Sequence, residues 1–332
     1  MTPPSLPPAL AAALDARAQG MSRIAAAKRQ TAMSDTYRAG GGSAAITSEA
    51  DALAYALARM PATYAAVAAA LNALAAQRPD FAPDNLLDCG AGPGTASFAA
   101  AQAFTSLRTI TLIDSNPALR ALAMPLLAET LPLLASDYVL RDAPVGVAAA
   151  DAADLVIASY VVNELPEPAR VRLVEALWAK TRDTLLIVEP GTPDGYARII
   201  ALRARLIAQG AYVLAPCPHE NACPLSPPDW CHFVQRLPRS RAHIALKQAE
   251  RPFEDEKFSY VALSRVPPTT RRARVLAQPH VGKVEVAAKL CTPAGLVAAR
   301  IARRDKAAYA QAKRWSWGDG VAFASSTEKP SS

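Results

Sequence analysis

No apolar run in this 332-residue chain approaches the roughly 20 residues of a membrane span, so a membrane protein is not expected. The first 30 residues mix prolines with Asp15, Arg17, Arg23, Lys28 and Arg29 and hold no clean hydrophobic segment, which speaks against a secretory signal. Cysteine is sparse, five in all, and in a reducing cytosol these do not make a disulfide framework. No tight Cys-x2–4-Cys knuckle of the usual zinc site occurs. There is no internal repeat and no recognition-helix motif for reading duplex DNA. What remains is a cytosolic chain long enough for one large α/β domain with appendages, or two modest domains.

A hydrophobic fraction of 51%, much of it alanine, permits a core and favours helix. Charge is divided unevenly. Residues 1–195 carry 14 Lys+Arg against 19 Asp+Glu, and residues 196–332 carry 22 against 10, so the net +7 hides a strongly basic second part. Such a half on a mildly acidic partner points to a polyanion.

The N-terminal stretch 1–80 reads as a helical extension. Periodicity gives a helix over Pro8–Ala27, Tyr37–Ser43 reads as a turn, and Ser48–Gln77 is helix-forming with Ser48 as cap and Pro61 dividing it in two. An α/β alternation follows over 81–200. Leu86–Phe98, LLDCGAGPGTASF, is a strand, a glycine turn and a helix opening near Thr95. Further strands are expected at Thr109–Asp114, Tyr138–Asp142, Asp154–Ser159 and Thr184–Glu189. All are short, apolar and rich in Val, Ile or Leu, as both-face burial requires. The expectation is a doubly wound, Rossmann-like parallel sheet with its ligand crevice at the carboxyl ends of the first two strands.

That crevice would be built from Asp88, Gly90, Gly92, Gly94, Asp114 and Asp142. Asp114 lies 20 positions after Gly94, where a ribose-binding carboxylate belongs. NAD and S-adenosylmethionine both use this geometry. The D-x-G-x-G-x-G pattern, with a carboxylate for an amino group and sulfonium, favours the second over the G-x-G-x-x-G of NAD sites. The fourth strand ends in Ser159-Tyr160-Val161-Val162-Asn163-Glu164-Leu165, which resembles Class I methyltransferases. The Asn/Asp-Pro-Pro-Tyr signature of amino-group methyltransferases and the Pro-Cys nucleophile of cytosine-C5 enzymes are missing. Asn163 and Glu164 are left as weak catalytic candidates, able either to orient a substrate or to cap the next turn. Glu189 either faces the crevice or bonds local backbone.

Over 201–320 the character changes. Ala215–His232, APCPHENACPLSPPDWCH, is too proline-rich for helix or sheet. Cys217, Cys223 and Cys231 lie in it and Cys291 is distant. Four thiolates suit tetrahedral zinc or a four-iron cluster, and His219 and His232 are spare ligands. Strand Phe258–Ser264, a hairpin of Val284–Cys291 and Leu296–Ala302, and a basic helix Arg303–Arg314 complete the region. Arg236, Arg239, Arg241, Arg271, Arg272, Arg303, Arg304, Lys313 and Arg314 are expected to meet RNA phosphates. Trp315 and Trp317 either stack bases or anchor the helix. Residues 321–332 read as a disordered tail.

Together RMPATYAAV, LLDCGAGPGTAS, VVNELP, VEPGTPDGY, APCPHENACPLSPPDWCHF, FEDEKFSY and WSWGD, spanning Arg59 to Asp319, resemble the mitochondrial small-ribosomal-subunit assembly methyltransferase-like family and its bacterial relatives. The resemblance implies S-adenosylmethionine-type binding in the Asp88–Gly94 loop. It also implies a [4Fe-4S] cluster on Cys217, Cys223, Cys231 and Cys291, and attachment to the small ribosomal subunit and its rRNA. The alanine-rich composition points to a bacterial, cytoplasmic member, expected as a monomer with no membrane and no DNA partner.

Overall fold

Successive side chains along the central strands go alternately to two separate cores, so both faces of the sheet are covered. In the computed structural model, which describes residues 4–19, 21, 29, 42–239 and 252–323, Leu86, Ile110, Leu112, Leu155, Ile157, Leu186 and Val188 join one core. Their neighbours Leu87, Cys89, Ile113, Val156, Ala158, Leu185 and Ile187 join the other. Near-continuous apolar strands are the signature of parallel strands buried on both sides.

The first core is roofed by α1 (Pro8–Ala18) and α2 (Glu49–Gln77). Ser48 caps α2 in a reciprocal capping box with Asp51. Pro61 does not divide this helix. It sits inside one 29-residue element, flanked by the fully buried Met60 and Ala62. Packing along the whole length offsets the single backbone hydrogen bond that proline removes.

The sheet runs β1 (Asn85–Cys89), α3 (Thr95–Ala103), β2 (Thr109–Asp114), α4 (Pro117–Thr130), β3 (Ala135–Leu140), α5 (Ala143–Ala149), β4 (Ala153–Ser159), α6 (Glu167–Ala179), β5 (Thr181–Pro190), α7 (Pro193–Ala208) and β6 (Tyr212–Ala215). Two longer-range strands, β7 (Phe233–Pro238) and β8 (Phe253–Ser264), complete it. Its order is β3-β2-β1-β4-β5-β8-β6, with β1 to β5 parallel and β8 antiparallel to β5 and β6. The third strand begins at Ala135 and ends at Leu140, earlier than the expected Tyr138–Asp142. Phe258 of β8 pairs with Pro190 and with Phe233, so β7 lies on the edge of β8 opposite β5.

A second, five-stranded antiparallel sheet comprises β9 (Ala273–Val275), β10 (His280–Val281), β11 (Glu285–Thr292), β12 (Gly295–Ala302) and β13 (Gly320–Val321). The β11–β12 hairpin turns at Thr292–Gly295, as its sequence predicts. The basic helix is shorter than expected, α8 (Lys306–Ala312). Val321 pairs with Ala273 and is buried, so the stretch read as a disordered tail starts in a strand; residues 324–332 lie outside the described set.

Candidate functional site

The glycine turn folds back on the second strand. The Gly90 and Ala91 amides donate to the Ile113 carbonyl at 2.8 and 3.1 Å. Gly90, Gly92 and Gly94 hold φ of 70°, 53° and 81°, a region that side chains with a Cβ avoid. At Gly90 a Cβ would also stand 2.5 Å from Val161, so the turn and the strand-four end are in contact. Asp88 is fully buried beneath the turn. Its Oδ2 accepts from the Ser97 amide (3.1 Å) and hydroxyl (2.7 Å), while Oδ1 has no partner. Burial, opposed by the Ser97 bonds and reinforced by the charge of Asp114, pushes the Asp88 carboxyl up to about 6. Asp114 accepts from the amides of Gly92 (2.9 Å) and Asn116 (2.8 Å). The Tyr138 hydroxyl donates to the Gly92 carbonyl at 2.8 Å. Asp142 is exposed past β3, and its side chain makes no capping hydrogen bond to α5.

Tyr160, the residue after β4, has φ 56°, unusual for a residue with a side chain. Its hydroxyl donates to Glu256 Oε1 at 2.9 Å, and the Arg59 guanidinium stands 3.7 Å from the same oxygen. Arg59 thus ties α2 to the strand-four end through Glu256 of β8. Val162–Glu164 form a 3-10 turn. Glu189 is buried with both oxygens engaged, neither of them by neighbouring backbone: its Oε1 accepts from the Asn163 amide after β4 (3.2 Å) and its Oε2 from the Arg198 side chain (2.6 Å). Glu164 opens onto the crevice, yet the surrounding protein strips its hydration, and Asp114 and Glu189 add negative charge. Its carboxyl is pushed up to about 7. The charge of Asp114 thus reaches both Asp88 and Glu164 and raises each of them.

Cys217, Cys223, Cys231 and Cys291 line one pocket. Three come from the irregular stretch between β6 and β7, and the fourth from β11, so the pocket lies where the two sheets meet. The Tyr196 hydroxyl donates to Cys223 Sγ at 3.1 Å, and His219 Nε2 lies 3.5 Å from Cys291 Sγ. Burial holds the Cys217 and Cys231 thiols above their ordinary range and pushes Cys291 up to about 12. Among the described residues no three His, Cys, Asp or Glu side chains are gathered as a site for one metal ion. His232 is elsewhere engaged, stacked on Trp230 and edged by Trp317. Arg203 and Arg274, which basic runs alone would place at the surface, with Arg274 among the phosphate-facing arginines, are buried in the wall of this pocket. Arg203 had a signal: it lies on the buried stripe of α7 with Ile199, Leu202 and Leu206.

The nominated RNA-binding residues divide. Arg236 is held bidentately by Asp255, Arg239 pairs with Glu254 and Arg271 with Glu220. Arg272, Arg303, Arg304, Lys313 and Arg314 are exposed with no carboxylate partner among the described residues. Arg241 lies outside the described residues. Trp317 donates to the His232 carbonyl at 2.9 Å and Trp315 packs on the second sheet, so both anchor structure.

The strand order, the glycine turn and the acidic strand ends define the Rossmann-like α/β fold of methyltransferase-like proteins. A solved magnesium protoporphyrin IX methyltransferase from Synechocystis PCC 6803 is similar at 14% identity and TM-score 0.41, over 70% of this chain and 90% of that one. The chain belongs to the family described as "Mitochondrial small ribosomal subunit Rsm22", whose model matches residues 49–322. It is 32% identical over 289 residues to the human ribosome assembly protein METTL17, mitochondrial, covering 80% of this chain and 61% of that protein. Rsm22-cox11 tandem protein 2 of Schizosaccharomyces pombe is 27% identical over 64% of this chain and 32% of its own length. The chain thus spans less than two thirds of the curated relatives it matches. No described helix is long and apolar enough to cross a membrane.

Proposed function

We propose that this chain is a methyltransferase-like assembly protein of the small ribosomal subunit that carries a metal–thiolate centre and meets rRNA with its basic half. The observation that carries this reading is the convergence of four cysteines where the methyltransferase-like sheet meets the basic one. A metal held there would staple the RNA-facing sheet to the core, and metal binding is coupled to local folding. The donor set fits such a group: four thiols, an apolar wall and two buried guanidiniums. Four thiolates on this lining suit a four-iron, four-sulfide cluster, with zinc as the alternative.

The crevice fits a cationic ligand of the S-adenosylmethionine kind. Asp88, Asp114 and Glu164 crowd negative charge, and Asp88 Oδ1 is buried without a partner. Such a ligand supplies a transferable methyl group when bound. Here Asp114 and the turn Gly90–Gly94, which has no Cβ at its glycines, would hold it, and Glu164 would hold or release a proton at the rim. A raised carboxyl at a strand end is what a general base requires, and this favours a second reading, an active rRNA methyltransferase.

Metal and acid-labile sulfide analysis on anaerobically purified protein tests the first reading, and Cys223→Ser is expected to lose both. Colourless wild-type protein with stoichiometric zinc would replace iron–sulfur by zinc. Normal small subunits in sedimentation profiles of a deletion strain would sink the assembly role. Loss of an rRNA methyl mark in that strain, read by mass spectrometry, would select the catalytic reading.

A further inference from the structure

We propose that Arg203 and Arg274 are the charge partners of the cysteine centre, neutralising the anion that four metal-bound thiolates create. The inference rests on the metal reading of the cysteine pocket given above.

Both arginines are 3% exposed. A guanidinium does not shed its proton in a protein, so two full positive charges are buried here. Burying a charge is strongly unfavourable unless an opposite charge answers it. Elsewhere in this fold that requirement is met: Arg78 pairs with Asp80 and Asp183, and Arg198 with Glu189. Arg203 and Arg274 have no carboxylate partner among the described residues. Arg203 donates to the His219 carbonyl while its Nε has no acceptor. Arg274 donates to the carbonyls of Pro216 (3.0 Å) and Gly318 (2.6 Å). What both do share is the pocket wall with Cys217, Cys223, Cys231 and Cys291.

Neutral thiols cannot answer these charges, but metal-bound thiolates can. Four thiolates on one zinc ion, or on an oxidised four-iron, four-sulfide cubane, make a dianion in either case. Two guanidiniums match it. They approach from the two bodies that the centre joins, Arg203 from α7 of the main domain and Arg274 from β9 of the second sheet. Binding the metal would therefore satisfy charge on both sides of the junction at once.

The rival account is that the arginines only brace loop carbonyls, and the two accounts predict opposite signs in metal-free protein. The test compares the full chain with an Arg203→Met/Arg274→Met double variant, each stripped by chelator or reconstituted anaerobically with ferrous iron and sulfide. Iron and sulfide analysis of the wild type comes first; a wild type that takes up neither iron nor zinc overturns the cysteine-centre reading, and this inference with it. Given a loaded wild type, the stripped double variant is expected to melt higher than the stripped wild type, because two unanswered charges are gone. The reconstituted variant is expected to lose its metal to chelator at least tenfold faster than wild type. An Arg203→Lys/Arg274→Lys chain, which keeps charge without the fork, is expected to retain metal within a few-fold of wild type. A Met variant that melts lower when stripped, cannot be recovered folded, or holds metal as long as wild type overturns the proposal.

Discussion

Gly90 has no room for a side chain on two separate grounds. Its φ of 70° disfavours any Cβ, and that Cβ would meet Val161 at 2.5 Å. Gly90→Ala is expected to cost about 2–4 kcal/mol in a denaturant titration, combining left-handed strain with overpacking, and to weaken an S-adenosyl ligand more than tenfold by calorimetry. The carboxyls of Asp88 and Glu164 give a pH signature. Held up at about 6 and about 7, they make the folded chain bind protons more readily than the unfolded one. The resulting stability is full below their ordinary values and is lost as pH rises through 6 and 7. Melting of the ligand-free chain is therefore expected to fall across that window, and Glu164→Gln to flatten its upper part. The affinity of a cationic ligand should rise over the same range. The glycines and Asp114 were legible in sequence because their geometry is set by neighbours within one βαβ unit. Arg274 and Tyr160 were not, since Pro216, Gly318 and Glu256 reach them from 44 to 96 positions away.

Elements with their own periodicity were legible. The parallel strands announce themselves by apolar runs, and the β11–β12 hairpin by its Thr-Pro-Ala-Gly turn. The strand β7 is short and carries Arg236 and Pro238, and only its pairing with β8 makes it a strand. Pro61 misled because a local rule met a helix buried along its length. The basic strand-to-helix segment supports a sharper expectation. Arg303 and Arg304 are exposed and free of carboxylates among the described residues, whereas Arg236 is neutralised by Asp255. Replacing Arg303 and Arg304 together by Ala is expected to lower the salt slope of binding to a single-stranded rRNA fragment by ~1.4, at ~0.7 per lost phosphate contact. Arg236→Ala should leave the slope within error of wild type.

At the scale of the molecule, two hydrophobic cores belong to the main sheet and a third, small one to the second sheet. The small core alone is thin support, so chelation is expected to speed limited proteolysis within 216–232 and 265–323 while the 85–215 body resists, read by mass spectrometry of the fragments. The placing of the cysteines also sets an order in time. Cys217, Cys223 and Cys231 precede β8 in the chain and Cys291 follows it. During synthesis, three of the cysteines emerge before the strand that joins β5 to β6, and the fourth only after it. The full set of four thus exists only in a chain whose central architecture has already been made. On the metal centre proposed above, uptake would be a checkpoint that nascent or truncated products fail, and metal supply would gate how many copies are finished.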